Sequence, residues 1–169
     1  VHSTVKIETG TNCFAKLTGL EPGTEYFYVI KDEAGVSRRL KFHTAPAKSE
    51  SFTFINGGDS RSNRTTRQEL NEIAAKLKPL FISFSGDMVN KPTDLEWDTW
   101  FTDWQLTIDE EGTIIPVVAH RGNHENNKDT IANEFDTPKD VYFAFNVAGD
   151  LFRYYTLNSQ IPAEGAQSS

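Results

Sequence analysis

Metal-binding side chains of the softer kind are scarce in this sequence: one cysteine, Cys13, and four histidines among 169 residues. A lone cysteine cannot close a disulfide within the chain, and it excludes a zinc site built on several thiolates. Cysteine usage therefore says nothing about the redox compartment. No apolar run approaches the roughly 20 residues needed to span a bilayer, and the opening "VHSTVKIETG" lacks a basic-then-apolar leader pattern. Positive charge is also in deficit. The formal net charge of −7 argues against general affinity for a nucleic-acid backbone. One local basic cluster, Arg61, Arg64 and Arg67, reads either as a solvated helix face or as a set of phosphate contacts. The remaining composition, 37% hydrophobic and 24% charged, is that of an ordinary globular chain.

Two patterns divide the sequence. Residues 1–46 alternate apolar and polar positions in "TVKIET", "CFAKLTGL", "EYFYVIKD" and "RRLKFHTA", with turns at "EPGTE" and "DEAG". This is an all-β segment of three or four strands, too few to complete a two-sheet sandwich. A small polar linker, residues 47–51, follows. From residue 52 onward strands alternate with helices, which predicts a parallel sheet. "FTFING", "LFISFS" and "TIIPVV" read as its strands. Between the first two, Leu70, Ile73, Ala74 and Leu77 fall at helical spacing and predict a core-facing stripe, with Thr66 and Glu69 as a capping box. A second helix is predicted from the Thr93/Glu96 pair to about Ile108, with Trp97, Trp100, Phe101 and Trp104 packing inward. "VYFAFNV" and "LFRYYTLN" make a hairpin around "AGD".

The chemistry gathers where the parallel strands end. "GGDSRSN", "SGDMVNK" and "HRGNHEN" each set a glycine before an aspartate or asparagine. In an open α/β sheet that edge is where ligands bind, and glycine lets the backbone turn or be closely approached. One Gly-Asp alone is an ordinary turn. Three such exits in succession place Asp59, Asp87 and Asn123 toward one volume, where paired carboxylates repel unless a cation neutralises them.

This order of motifs resembles the calcineurin-like metallophosphoesterase superfamily, with its Asp-x-His or Asp-x-Gly, Gly-Asp and Gly-Asn-His-Asp/Glu blocks. "LTGLEPGTEYFYVI", with Tyr26 as a corner residue, and the closing "KFHTAP" resemble the second half of a fibronectin type III-like domain. Together they look most like the purple acid phosphatase branch. The fold implied is α/β layers of the metallophosphoesterase type over residues 52–169, preceded by a partial all-β sandwich over 1–46. The activity implied is metal-dependent hydrolysis of a phosphate ester by a binuclear centre with a bridging hydroxide nucleophile. Asp59 would ligate one metal, Asp87 both, and Asn123 the second. His124 would stabilise the transition state or protonate the leaving alkoxide. The metals would be two ions from among Fe, Mn, Zn and Mg. The pairing of domains implies an extracytoplasmic setting, secreted, periplasmic or at the cell surface. Oligomeric state and the choice of monoester or diester are not readable.

The sequence departs from the family pattern at three places. Arg61 stands where the family has His or Gly; its guanidinium cannot ligate a metal but suits a bidentate phosphate contact. Asn90 replaces the iron-binding Tyr of purple acid phosphatases, implying a colourless centre; it would contact phosphate or cap a turn. No histidine follows His124, whereas the family draws later ligands from Val-x-x-His and Gly-His-x-His. The expectation is a chain truncated at both ends and weakly active alone. The alternative is a non-catalytic extracytoplasmic binding protein that keeps the fold with a degenerate site.

Overall fold

The computed structural model describes residues 5–9, 12–126 and 128–161. His2, and the polar tail from residue 162, lie outside them. Strands β1 (Val5–Thr9) and β2 (Asn12–Lys16) form an antiparallel ribbon. Strand β3 (Glu25–Tyr28) runs through the small hairpin of β4 (Lys31–Asp32) and β5 (Gly35–Val36) to β6 (Leu40–His43), which pairs antiparallel with β3. The "DEAG" turn forms because the Asp32 carboxylate accepts the N–H groups of Ala34 and Gly35 at 2.8 and 3.0 Å. The Tyr26 hydroxyl accepts the Glu21 N–H at 2.7 Å, the backbone bond expected of a corner tyrosine. Among the described residues each of these sheets is two-stranded, short of the facing sheets of a fibronectin-like sandwich. Strand β6 has a second partner: Lys41 donates its N–H to the Gly112 carbonyl at 2.9 Å and accepts the Ile114 N–H at 2.8 Å.

The rest is α/β. Strand β7 (Ile55–Gly57) leads to helix α1 (Arg64–Leu77), β8 (Ile82–Phe84), α2 (Asp94–Trp104) with a 3-10 turn at Gln105–Thr107, and β9 (Val117–Ala119). Helix α3 (Lys128–Phe135) and the hairpin of β10 (Phe143–Val147) and β11 (Phe152–Thr156) follow. The sheet order is β7-β8-β9, all parallel, with Gly57, Phe84 and Ala119 in register. The three strands therefore end side by side.

Phe84 of β8 and Phe81, which leads into it, pack into separate cores. Phe84 packs with Trp97, Trp100, Met88 and Ile131 against the helices. Trp100 stacks on Trp104 at 4.7 Å and meets Phe84 edge-on at 5.6 Å, so the aromatic stripe of α2 is core. On the opposite side Phe81 packs with Val147, Phe145, Phe152 and Tyr154 of the hairpin. No helix among the described residues is long and apolar enough to cross a membrane.

Helix α1 departs from the sequence expectation. Leu70, Ile73 and Leu77 are exposed at 59, 48 and 61%, whereas Arg67, Asn71, Ala74 and Ala75 are buried. The cause lies in α2. Asp103, fully buried, takes bonds from Arg64 Nε at 2.9 Å, Arg67 Nη2 at 2.5 Å and Gln68 Nε2 at 2.7 Å, and its carbonyl takes one from Asn71. Burial pushes the Asp103 carboxyl up, and the Arg67, Gln68 and Arg64 bonds more than offset it, leaving it below the ordinary value. A buried carboxylate needs such partners, so it turns the polar face of α1 inward. Arg67 is accordingly buried rather than on a solvated face, and Arg64, half-exposed, directs its Nε to the same carboxylate. The helix also starts earlier than the capping box implied, with Asn63 Oδ1 accepting the Thr66 N–H.

Between the sheet and the hairpin, the His120 ring reaches the hydroxyls of Ser83 at 3.3 Å and Tyr154 at 3.1 Å, and those two hydroxyls bond each other. Burial holds the His120 imidazole below the usual histidine value. The neutral ring is thus favoured by folding: the stability it contributes is present above about pH 6.5, the unfolded histidine value. It is lost as pH falls through the folded value, because the unfolded chain then binds the extra proton. Melting temperatures between pH 7.5 and 5 are expected to fall further in the wild type than in His120→Gln; equal slopes would remove His120 from the pH response.

Candidate functional site

The first two strand exits share one backbone device. Asp59 and Asp87, each just after a glycine, adopt left-handed conformations with φ of 56° and 55°. That region is sparsely populated by non-glycine residues and persists only where surrounding bonds hold it. Here the loops are laced together. The Asp59 N–H donates to the Gly86 carbonyl at 3.0 Å and the Ser85 N–H to the Gly57 carbonyl at 2.7 Å. Across the next gap, the His124 N–H donates to Asp87 Oδ1 at 3.0 Å.

Glycine is required where the second and third loops meet. A β-carbon on Gly86, itself at φ +89°, would collide with the Gly122 backbone, and one on Gly122 would collide with the Asp87 carboxylate. Beneath this contact lies Glu125, fully buried. Its Oε2 accepts the N–H groups of Asp87 at 3.0 Å and Gly122 at 2.7 Å, and its Oε1 accepts the Met88 N–H at 2.7 Å. The resemblance implies roles for Asn123 and His124 but none for Glu125. A usable signal was present: a turn that packs two glycine loops together leaves backbone N–H groups needing an acceptor.

Asp59 and Asp87 converge on one cationic group. Arg61 Nε lies 2.7 Å from Asp59 Oδ1 and 4.0 Å from Asp87 Oδ2. The Arg61 guanidinium also bonds His124 Nε2. A guanidinium can only donate, so Nε2 accepts, and the imidazole proton sits on Nδ1, which donates to the Asn90 carbonyl at 2.8 Å. His124 in this arrangement has no proton to give from Nε2. Asn90 takes part through its backbone, its N–H donating to Glu96 Oε2 at 2.7 Å. Its side chain caps nothing in these contacts. Asn123 is exposed and is held beside the Asp87 carboxylate through both neighbours, Gly122 and His124.

Among the described residues no three His, Cys, Asp or Glu side chains gather closely enough to hold a metal ion. The donors brought toward one point are hard oxygens, the carboxylates of Asp59 and Asp87 about the Arg61 guanidinium, and Asn123 stands in the loop that packs against Asp87. Arg61 serves as a stand-in, showing that the space between the two carboxylates accommodates a positive charge. The set fits a hard cation such as Mg or Mn better than a thiophilic one. Arg61 must withdraw for such an ion to enter.

The family model described as calcineurin-like phosphoesterase matches residues 43–165, a span that contains all three strand exits. No curated protein matches the chain.

Glu125→Ala leaves three N–H groups, one buried and two partly buried, without an acceptor. The expected cost is about 3 kcal/mol, since each unsatisfied buried donor costs on the order of 1 kcal/mol or more. Urea unfolding measures it, and Glu125→Gln, which keeps one acceptor oxygen, should fall between. A Glu125→Ala protein within about 0.5 kcal/mol of wild type would show that the loops do not depend on this carboxylate.

Proposed function

The chain belongs to the calcineurin-like phosphoesterase family, and on that premise we propose that its three strand exits form the metal-dependent site of a phosphoric ester hydrolase. The observation that carries this reading is the shared cation position between Asp59 and Asp87. Asp59, Asp87 and Asn123 would hold the cation or cation pair. Ions bound there would supply Lewis acidity toward the phosphoryl oxygens and lower the pKa of water.

The chain's own residues then have distinct tasks. Arg61 leaves Asp59 and turns its two-pronged guanidinium to the phosphate, a geometry that suits two phosphoryl oxygens at once. Its departure frees the lone pair of His124 Nε2. With Nδ1–H anchored on the Asn90 carbonyl, His124 is oriented to take a proton from solvent water at Nε2 and deliver it to the leaving alkoxide. Asn90 thus acts through its carbonyl, and its exposed side chain would contact phosphate. The binuclear count, the purple acid phosphatase-like branch and an extracytoplasmic setting are carried by the sequence resemblance. One observation favours the alternative of a non-catalytic binding protein: in this arrangement Asp59 is engaged by Arg61.

Metal titration and turnover separate the two. Hydrolysis of an aryl phosphate should require Mn or Mg, stop with EDTA, and fall about a thousandfold in Asp87→Ala, if charge neutralisation contributes several kcal/mol. The same variant should lose Mn binding by calorimetry. Hydrolysis undiminished in Asp87→Ala would sink the assignment; a folded wild type that takes no metal and turns over nothing would favour the binding protein.

A further inference from the structure

Ser60 lies between Asp59 and Arg61, and its polar atoms point away from the site toward the helices. Its carbonyl accepts Arg67 Nη1 at 3.0 Å. Its hydroxyl accepts the Trp100 indole N–H at 3.2 Å and reaches the Met88 carbonyl of the second loop at 3.5 Å. Arg67 and Trp100 are themselves immobilised. Both are buried, Arg67 at 7% exposure, with its Nε and Nη2 on Asp103. We propose that Arg67 and Trp100 are positioning residues of this site, acting through Ser60 to fix the loop that presents Asp59 and Arg61. The inference rests on the reading of the strand exits as a metal-dependent phosphoesterase site.

Helix packing alone does not account for the network. A buried ion pair can often be replaced by well-packed apolar groups at no loss of stability, and α1 carries an apolar face of its own, Leu70, Ile73 and Leu77, which it leaves in solvent. What the polar face adds is the third arm of the Arg67 fork. Two guanidinium nitrogens satisfy Asp103, and the remaining one holds a loop carbonyl. A lysine has a single ammonium and lacks this planar fork. The constraint matters because Asp59 holds a left-handed conformation that a loosened loop would abandon. Met88, the second-loop partner of Ser60, also donates its N–H to Glu125. The anchoring of the first loop is therefore continuous with that of the other two.

Hydrogen exchange on the metal-free protein tests this directly, since the Asp59 amide reports the loop through its bond to Gly86. In Arg67→Lys and in Ser60→Ala, which leaves the Arg67–Asp103 pair intact, protection of the Asp59 amide should fall about tenfold while that of Ile82 in β8 stays near wild type. Ser60→Thr, which keeps the hydroxyl, should retain protection. Mn affinity by calorimetry should drop about 10- to 100-fold in the two loosened variants, as for residues that orient ligands. Unchanged protection at Asp59 in Ser60→Ala, or an equal loss at Asp59 and Ile82, overturns the inference. A local loss at Asp59 in a wild-type background that takes no Mn supports the positioning role and overturns the metal reading instead.

Discussion

A carboxylate withdrawn from water must find donors, and Glu125 finds them in the main chain of two loops at once. That requirement governs the geometry of the strand exits. Because Glu125 draws the N–H groups of Asp87, Met88 and Gly122 to one side chain, the second and third loops touch at Gly86 and Gly122, where no β-carbon fits. The Asp87 backbone is turned left-handed, and its carboxylate swings over to receive the His124 N–H. Asn123 and His124 stand where they do because the carboxylate below them fixes both flanks.

Charge pairing gives Arg61 its place in the cluster. The three strand-exit stretches balance Asp59, Asp87 and Glu125 against Arg61, Lys91 and Arg121, and of these cations Arg61 is the one that pairs with Asp59 and reaches Asp87. A metal ion entering there would compete for the carboxylates that Arg61 contacts. On the proposed function, the displaced guanidinium would find a new acidic partner in the phosphate. On this reading one arginine neutralises the site at rest and binds substrate when the site is loaded.

Much of this was legible in the sequence, for reasons that differ by element. The strands ahead of Asp59, Asp87 and Asn123 announce themselves because apolar runs ending at Gly-Asp or Gly-Asn admit few other readings. The inward aromatic stripe of α2 follows from spacing alone. The stripe of α1 failed because helical periodicity identifies a face without saying which face wins. Asp103, 26 residues or more beyond that helix, recruits Arg64, Arg67, Gln68 and Asn71, and a buried charge outweighs three leucine-class contacts. The Arg61–Arg64–Arg67 cluster dissolved for the same reason, with two members turned to Asp103 and one to Asp59. Glu125 went unassigned because its partners are backbone groups, which carry no letter in a sequence. His124 is legible as a residue of the third strand exit, but the occupant of its Nε2 depends on a contact 63 positions away in the chain.

The pairing of β6 with residues 112–114 carries a consequence for modularity. The family match begins at residue 43, the last residue of β6, yet Lys41 two positions earlier satisfies Gly112 and Ile114. Besides the covalent connection through residues 47–51, an isolated parallel bridge of two backbone bonds thus ties β6 to the segment ahead of β9. Excising the ribbons would bare a short strand edge just ahead of β9, a template onto which any passing extended peptide, including a sister molecule, could zip.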